Sequence, residues 1–147
     1  MDYQQMPALI PAMAVRDPRA SLDWLEKLGF QTLVTMPMPD GTIGHAHAAR
    51  GSAHIMLGPA CDQHRIGAAG MGLYIHIPDS VDELCAQAQA SGIAVSQEPR
   101  DQFWGDRTFE VEHPDGYRLT FFNHVRDVSP EEMQRAMEEW AAAGSPA

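Results

Sequence analysis

The amino-acid sequence predicts an α+β fold of two βαβββ modules followed by a C-terminal helix. Three observations support this prediction: one order of elements occurs twice, both copies carry similar cap and turn residues, and strong turn chemistry separates the last two strands. With 147 residues, the chain is long enough for one domain with a substantial core. We expect that domain at residues 1–126, with module 1 at about 7–58, module 2 at about 70–123, and a helical tail at 127–147.

Module 1 is indicated by strand-like apolar segments around one capped helix. Leu9–Val15 has strand composition, and Asp17 with Pro18 then supplies an N-cap and a first helical residue. Gly29 is expected to end that helix. Three further strands are predicted at Phe30–Met36, Thr42–Ala49 and Ala53–Leu57.

The same order of elements recurs after a linker at Gly58–Ala69. Gly72–Ile77 has strand composition, and Ser80 with Glu83 predicts a capping box at the start of a second helix. Gly92 is expected to end this helix. Three further strands are predicted at Ile93–Gln97, Thr108–Glu112 and Tyr117–Phe122.

The two copies correspond through their cap and turn residues, while the identity of their other side chains is low. Val15-Arg16-Asp17 corresponds to Ile77-Pro78-Asp79, and Gly29-Phe30 corresponds to Gly92-Ile93. Pro114-Asp115-Gly116 joins the last two strands, because proline fixes one backbone dihedral and glycine accepts a positive φ. This pattern indicates an internal repeat.

The tail is predicted to be a separate helix. Ser129 and Glu132 have the spacing of a capping box, and Met133, Met137 and Trp140 recur at helical spacing. This apolar stripe either packs on its own domain or covers a partner subunit, since it would otherwise be exposed.

Composition and charge exclude several classes of function. Ten basic against twenty acidic residues give a formal net charge of −10, which argues against nucleic-acid binding and permits a cationic ligand. We expect no membrane span, because no apolar run is long enough. The N-terminus lacks the features of a signal peptide, so we expect a cytoplasmic protein. Cys61, in a loop, and Cys85, in a helix, are expected to be unpaired thiols.

The stretch Asp101–Phe122 resembles a known family. It contains Trp104-Gly105-Asp106-Arg107 and then Pro114-Asp115-Gly116, with His113 where the family usually has aspartate. This order resembles the second-half signature of the vicinal oxygen chelate superfamily, which holds glyoxalase, bleomycin-resistance and extradiol-dioxygenase proteins. The resemblance extends over about Leu9–Asn123. It implies mixed or antiparallel sheets that curl around a cavity.

The resemblance also implies where a metal would bind. Metal-dependent members hold a divalent ion with His, Glu or Gln from the first, fourth, fifth and eighth strands. The corresponding positions in this sequence are Ile10, Met56, Gly72 and Thr120. Because isoleucine and glycine lack a side-chain donor and a thioether suits hard ions poorly, we predict no metal at these positions and no cofactor.

Histidines keep a metal site open as an alternative. His45 and His47 lie two residues apart on one strand face, a spacing that can chelate Zn, Ni, Cu or Fe. His54, His76 and Glu110 could join them. The other interpretation is that the histidines are hydrogen-bonded groups that line a polar pocket or meet solvent.

Strand parity predicts which side chains share the face opposite the helices. Apolar rows such as Leu73 and Ile75 are expected beneath the helices. The alternate residues, together with Trp104 in its loop, form the predicted ligand site: His45, His47, His54, Met56, Tyr74, His76, Trp104, Thr120 and Phe122. Trp104 and Phe122 would stack on a planar or cationic group. Alternatively, Trp104 is a structural cover for the hairpin that the last two predicted strands form.

Five further polar residues are not expected to carry chemistry. Asp106 and Arg107 should pair with each other or fix their loop, and His113 should be structural because it lies at a turn. His64 and His124 are expected outside the regular strands.

Three functions compete at this point. The first is metal-independent binding of a small organic molecule, as in antibiotic-resistance proteins of the family. The second is a metal-dependent lactoylglutathione lyase, isomerase or dioxygenase. The third is a metal-free enzyme that moves a proton with His76 or Glu110, although no catalytic residue is identified. The family's habit of pairing modules, together with the apolar stripe of the tail, predicts a homodimer.

Overall fold

A computed structural model of the protein describes residues 3–144 and contains both predicted modules. After a short 3-10 turn at Tyr3–Gln5, module 1 consists of β1 (Ala12–Val15), α1 (Pro18–Glu26), β2 (Gln31–Pro37), β3 (Ile43–Arg50) and β4 (Ala53–Pro59). Module 2 consists of β5 (Gly72–His76), α2 (Val81–Ala90), β6 (Val95–Asp101), β7 (Asp106–Glu112) and β8 (Arg118–His124). The tail forms α3 (Pro130–Ala142). The α+β class and the repeated order of elements are confirmed.

Each module forms its own four-stranded sheet, with equivalent topology in the two modules. The strand orders are β1-β4-β3-β2 and β5-β8-β7-β6. In each sheet the first and last strands of the module pair in parallel, and the other neighbours are antiparallel. The sheets are therefore mixed, and each remains open.

Some strand boundaries differ from the prediction. The first strand begins at Ala12 rather than Leu9, because Pro11 has no N–H and joins the ladder only through its carbonyl, which accepts from Met56 N at 2.9 Å. The prediction that His124 lies outside the strands is wrong. Strand β8 continues to His124 because that residue pairs with Asp106 at the start of β7.

The predicted caps begin the helices. Asp17 accepts hydrogen bonds from the backbone N–H of Arg19 at 2.9 Å and of Ala20 at 3.2 Å. At α2, the Ser80 side chain accepts from Glu83 N at 3.2 Å, which is one half of the predicted box. At α3 the reciprocal capping box of Ser129 and Glu132 forms. None of the helices within residues 3–144 has the length and apolar character needed to span a membrane.

One hydrophobic core contains apolar residues from both modules. Leu22 and Leu25 of α1 lie in it with Leu84 of α2, and so does the stacked pair of Phe109 and Phe121. Burying each such side chain contributes about 1.5–3 kcal/mol. The apolar rows therefore lie beneath the helices, as strand parity predicts, and the other face of each sheet is left for polar and aromatic residues.

Tyr117 ties module 2 to module 1 and to the linker. Its buried hydroxyl donates a hydrogen bond to the Ala14 carbonyl at 2.7 Å and accepts one from Gly67 N at 3.2 Å. Three chain segments thus meet at one oxygen atom. Because buried polar groups must be hydrogen-bonded, loss of this oxygen leaves two backbone groups without a partner.

His113 has the structural position that the sequence predicts. It is buried, its Nε2 lies 3.0 Å from Ser21 Oγ, and its ring meets Trp24 edge-on at a centroid distance of 4.9 Å. Its Nδ1 accepts from Asp115 N at 3.0 Å. Burial lowers the pKa of His113, so its ring stays neutral and serves as a link between α1 and the hairpin.

We expect Tyr117→Phe to lower the free energy of unfolding by about 1–2 kcal/mol, because the Ala14 carbonyl and Gly67 N–H lose their partner. Urea denaturation measures this loss. Tyr74→Phe is the matched control, since it removes the same hydroxyl from a half-exposed ring and should cost about 0.5 kcal/mol or less. Equal losses in the two variants would contradict the assigned role of Tyr117.

Candidate functional site

The nine predicted site residues lie on two sheet faces, one in each module. Module 1 contributes four of them, on the sheet face opposite α1: His45, His47, His54 and Met56. Module 2 contributes five, on its sheet face and in the loop between β6 and β7: Tyr74, His76, Trp104, Thr120 and Phe122. Two cavities open on module 1, and within the described chain they are lined by residues of the first group and by none of the second.

Two of the module 1 histidines form a pair. His47 Nε2 lies 2.9 Å from His54 Nδ1, and the rings meet edge-on. His47 is 2% exposed, and burial, followed by the nearby His54 and His45, lowers its pKa. One nitrogen of the pair must therefore donate while the other accepts. This geometry is that of a hydrogen-bonded pair, which leaves these two nitrogens engaged with each other.

The first cavity on module 1, which we call the β2 cavity, has a volume of about 590 Å³. It lies between the N-terminal segment and β2, and His54 and Ser52 supply polar atoms to it. Its remaining lining comes from Gln5, Met6, Leu33, Val34 and Gly51.

The second cavity, which we call the linker cavity, has a volume of about 630 Å³. It lies between β1, β4 and the linker, and it contains the predicted residues His45 and Met56. The sequence does not predict its other lining side chains, which are Cys61, His64 and Arg65 of the linker together with Met71 and Tyr117. The linker has no periodicity, so its sequence gives no signal for the side that each residue presents.

Module 2 presents an exposed aromatic surface. The rings of Tyr74 and Phe122 are stacked, with a centroid distance of 4.4 Å and an interplanar angle of 23°, and His76 lies 5.2 Å from Phe122. We call these three residues the aromatic face. Tyr74 is 49% exposed, so the face can receive a flat ligand.

Trp104 is held by its indole N–H. Its Nε1 lies 3.0 Å from both the Tyr74 hydroxyl and Asp106 Oδ2, and the Tyr74 hydroxyl donates to the same carboxylate oxygen at 2.9 Å. Burial raises the pKa of Tyr74 to about 12, with a further contribution from Asp106, so the phenol stays protonated. The ring of Trp104 is partly exposed beside the aromatic face. The indole nitrogen thus has a structural role, and part of the ring remains available to a ligand.

The chain passes from Trp104 to β7 through Gly105, where two segments meet. Gly105 has a φ of +101°, which is favourable only for glycine. Its carbonyl accepts from the backbone N–H groups of Val125 at 2.9 Å and Arg126 at 3.1 Å. The loop between β6 and β7 is therefore bound to the segment that leads into α3.

Asp106 continues into a second network that the sequence does not predict. His124 Nδ1 lies 3.1 Å from Asp106 Oδ1, and His124 Nε2 lies 2.8 Å from Asp127 Oδ1. Since carboxylates only accept hydrogen bonds, both ring nitrogens must donate and His124 must be protonated in this arrangement. The hydrogen bonds from Asp127 and then Asp106 raise its pKa.

Arg107 fixes the start of β7 to α2 instead of pairing with Asp106. Its guanidinium binds both oxygens of Asp82 at 2.7 Å, and its Nη1 lies 3.0 Å from Asp101. The hydrogen bonds between Arg107 and Asp82 lower the pKa of the Asp82 carboxyl and raise the pKa of the Arg107 guanidinium. Of the two predicted roles for Asp106 and Arg107, the structure shows loop fixation.

The positions that the family uses for a metal do not form a suitable site. Ile10 and Gly72 carry no donor atom, Met56 carries a thioether, and the Thr120 hydroxyl bonds Glu110 at 3.3 Å. Glu110 also contacts Ser96 at 3.1 Å. Within residues 3–144 there is no group of three or more His, Cys, Asp or Glu side chains arranged to hold a metal ion. The residues at these four positions therefore do not fit a divalent metal.

Replacing His124 with alanine should reduce thermal stability more at low pH than at high pH. Because Asp127 and Asp106 raise the pKa of His124 above 6.5 in the folded state, folding favours its protonated form. This stabilisation is fully present below the unfolded-state pKa and is lost as the pH rises through the higher folded-state pKa. Unfolding curves at about pH 5.5 and about pH 9 measure the difference.

His64→Ala is the control for this prediction, because the hydrogen-bond partner of His64 is the Cys61 thiol and not a carboxylate. Its effect on stability should change little between the two conditions. A His124→Ala effect that is independent of pH, or larger at high pH, would show that the two carboxylates do not hold a protonated ring.

The comparisons with known proteins agree with this architecture. A family model described as the Glyoxalase/Bleomycin resistance protein/Dioxygenase superfamily matches residues 9–121. Mb0911c, an uncharacterized protein of Mycobacterium bovis, is 29% identical over 141 residues, which cover 89% of this chain and 92% of that protein.

Two solved structures have the same fold. TioX from Micromonospora sp. ML1 is 27% identical, with a TM-score of 0.68 over 81% of this chain and 99% of that chain. TnmS3, an antibiotic binding protein from Streptomyces sp. CB03234, is 24% identical, with a TM-score of 0.61 over 78% and 96% of the two chains. The family match covers most of the chain and confirms the resemblance found in the sequence. The protein therefore belongs to the Glyoxalase/Bleomycin resistance protein/Dioxygenase superfamily.

Proposed function

We propose that the protein binds a small organic molecule without a metal ion, and that the aromatic face of module 2 receives the planar part of that molecule. The observation that carries this proposal is the stacked pair of the exposed Tyr74 and the partly buried Phe122, with Trp104 fixed beside it. Exposed aromatic clusters are costly in water and mark binding surfaces. The rings are held in place before a ligand arrives, which lowers the entropic cost of binding.

The donor atoms favour binding over metal catalysis. The family's four metal positions carry one thioether and one engaged hydroxyl, and His47 and His54 bond each other. A metal-free enzyme that uses Glu110 is also disfavoured, because that carboxylate bonds Ser96 and Thr120 and lies 3.6 Å from Arg118. Binding requires no reactive group and uses the surface as it stands.

The surroundings of the aromatic face favour a planar ligand with a positive charge. Asp106 and Asp127 flank the single positive charge of His124, which leaves an excess of negative charge beside Trp104. A cation above Tyr74 or Phe122 would gain attraction from the ring faces as well. TnmS3 is described as an antibiotic binding protein, and we propose binding of this general kind here by analogy of fold.

We also propose a homodimer in which α3 covers a second copy of the chain. Met137 and Trp140 are 44% and 40% exposed, and α3 has no buried residue. Met133 is partly buried, but most of the stripe remains open to water, and a second copy would cover it. In this proposal residues 1–126 form the binding domain and residues 127–147 serve association. The two unpaired cysteines favour a cytoplasmic location.

The planar cation 9-aminoacridine should bind the protein, and Phe122→Leu should weaken its binding by about three- to tenfold, because one stacking face is lost. Fluorescence titration measures the dissociation constant. Phe30→Leu is the matched control, because Phe30 is buried in the core, outside the aromatic face, and its replacement should leave affinity unchanged. EDTA should also have no effect. Loss of binding with EDTA would overturn the metal-independent proposal, and unchanged binding in Phe122→Leu would overturn the stacking site.

Placing a charge in the apolar stripe should dissociate the dimer. We expect the wild-type chain at micromolar concentration to have twice the mass of one chain by light scattering, and Met137→Glu to shift it towards the monomer. Gln134→Glu adds the same charge to α3 outside the stripe and should leave the dimer intact. A wild-type monomer across this concentration range would contradict the proposed association.

A further inference from the structure

We propose that the linker cavity of module 1 binds the acidic group of an otherwise apolar small molecule, such as an aromatic carboxylic acid. This inference rests on the proposed small-molecule-binding function and specifies the chemical class that a second site of the same chain accepts. The cavity has a volume of about 630 Å³, which is within the range of drug-sized ligand sites. It is separate from the aromatic face, because Tyr74, His76 and Phe122 do not line it.

The charge of the lining carries the argument. The ionisable nitrogen-containing side chains of the cavity are His45, His64 and Arg65, and its lining within the described chain includes no aspartate or glutamate. The whole chain has twenty acidic and ten basic residues, so this local balance is opposite to that of the protein. An anion entering the linker cavity would meet a permanent positive charge and no carboxylate.

The two basic groups that matter most are free to bind a ligand. Among the described residues, neither the side chain of Arg65 nor that of His45 makes a hydrogen bond or an ion pair. Other arginines of the protein do bind carboxylates, such as Arg107 with Asp82 and Arg16 with Asp115. A guanidinium binds a carboxylate through two parallel hydrogen bonds, so Arg65 has an unused capacity for this contact.

The rest of the cavity suits an apolar body. Three methionines, Met13, Met56 and Met71, line it together with Leu57. Their flexible thioether side chains adapt to ligands of different shape. The hydroxyl of Tyr117 is already bonded to Ala14 O and Gly67 N, so its ring contributes apolar surface.

Local hydrogen bonds hold the basic part of the linker at the cavity. Cys61 and His64 exchange two backbone hydrogen bonds of 2.9 and 3.1 Å, and the Cys61 thiol lies 3.6 Å from His64 Nδ1. Gly67, two residues beyond Arg65, is bonded to Tyr117. The linker is thus fixed on both sides of Arg65, which places a cation beside an apolar space.

Three compounds with one ring system test the acid preference: 2-naphthylacetate, 2-(2-naphthyl)ethanol and 2-(2-naphthyl)ethylamine. They have nearly the same shape and carry a negative, a neutral and a positive group. The titrations use the full chain with Phe122→Leu, because the aromatic face of the unchanged protein would itself bind the naphthyl cation. Calorimetry should show the acid binding about tenfold more tightly than the amine. Arg65→Ala should weaken the acid by about five- to tenfold, and Arg65→Glu should reverse the preference in favour of the amine.

Arg19→Ala is the matched control, because Arg19 is exposed on α1 outside the linker cavity and its loss changes the net charge equally. It should leave the affinity for the acid unchanged. Arg65 is exposed, so its variants should keep the wild-type circular dichroism spectrum. Bound acid should also slow the reaction of Cys61 with a disulfide reagent, while Cys85 is buried and reacts slowly throughout.

The outcomes separate this inference from the proposed function. If the amine binds as tightly as the acid, or if Arg65→Ala binds the acid as well as wild type, the acid class is wrong. If 9-aminoacridine still binds in a way that depends on Phe122, the proposed function stands without it. If neither the naphthyl compounds nor 9-aminoacridine binds, both the inference and the proposed function fail.

Discussion

The shared hydrophobic core determines where every candidate functional side chain lies. Both helices and one face of each sheet bury their apolar rows in it. Because side chains alternate along a strand, the opposite faces carry the candidate site residues of the strands. Tyr117 and His113 add buried hydrogen bonds across the junction of the modules. A shift of one module against the other would break these bonds, so the aromatic face and the linker cavity have a fixed relation within one chain.

The sequence is informative wherever a local pattern decides the structure. The caps at Asp17 and Ser129, and the alternation that buries Ile75 and Phe121, depend on near neighbours and could be predicted with the repeat itself. Boundaries were less accurate. Strand β8 reaches His124 only because β7 offers a partner, which is a tertiary fact with no signal in the residues after Phe122.

The site was predicted less completely than the fold, for the same physical reason. Parity places Tyr74 and Phe122 on one face, but it does not show that Trp104 is bound through its indole N–H to Tyr74 and Asp106. Linker residues such as Arg65 follow no period, so their position beside β1 and β4 depends on contacts made far along the chain. The two module surfaces differ in charge, a distinction that total composition averages away.

Gly105 carries a constraint that extends beyond its own loop. A methyl group at this position would overlap the carbonyl of Arg126, and the backbone there is already in the left-handed region. Any side chain would push away the strand-to-helix connection that carries Asp127, and His124 would then lose one of its two counter-charges. Because Gly105 has only a hydrogen atom in place of a side chain, the loop that carries Trp104 can lie close to the segment that leads into the tail. Substitution is therefore tolerated least at Gly105, the smallest residue of this loop.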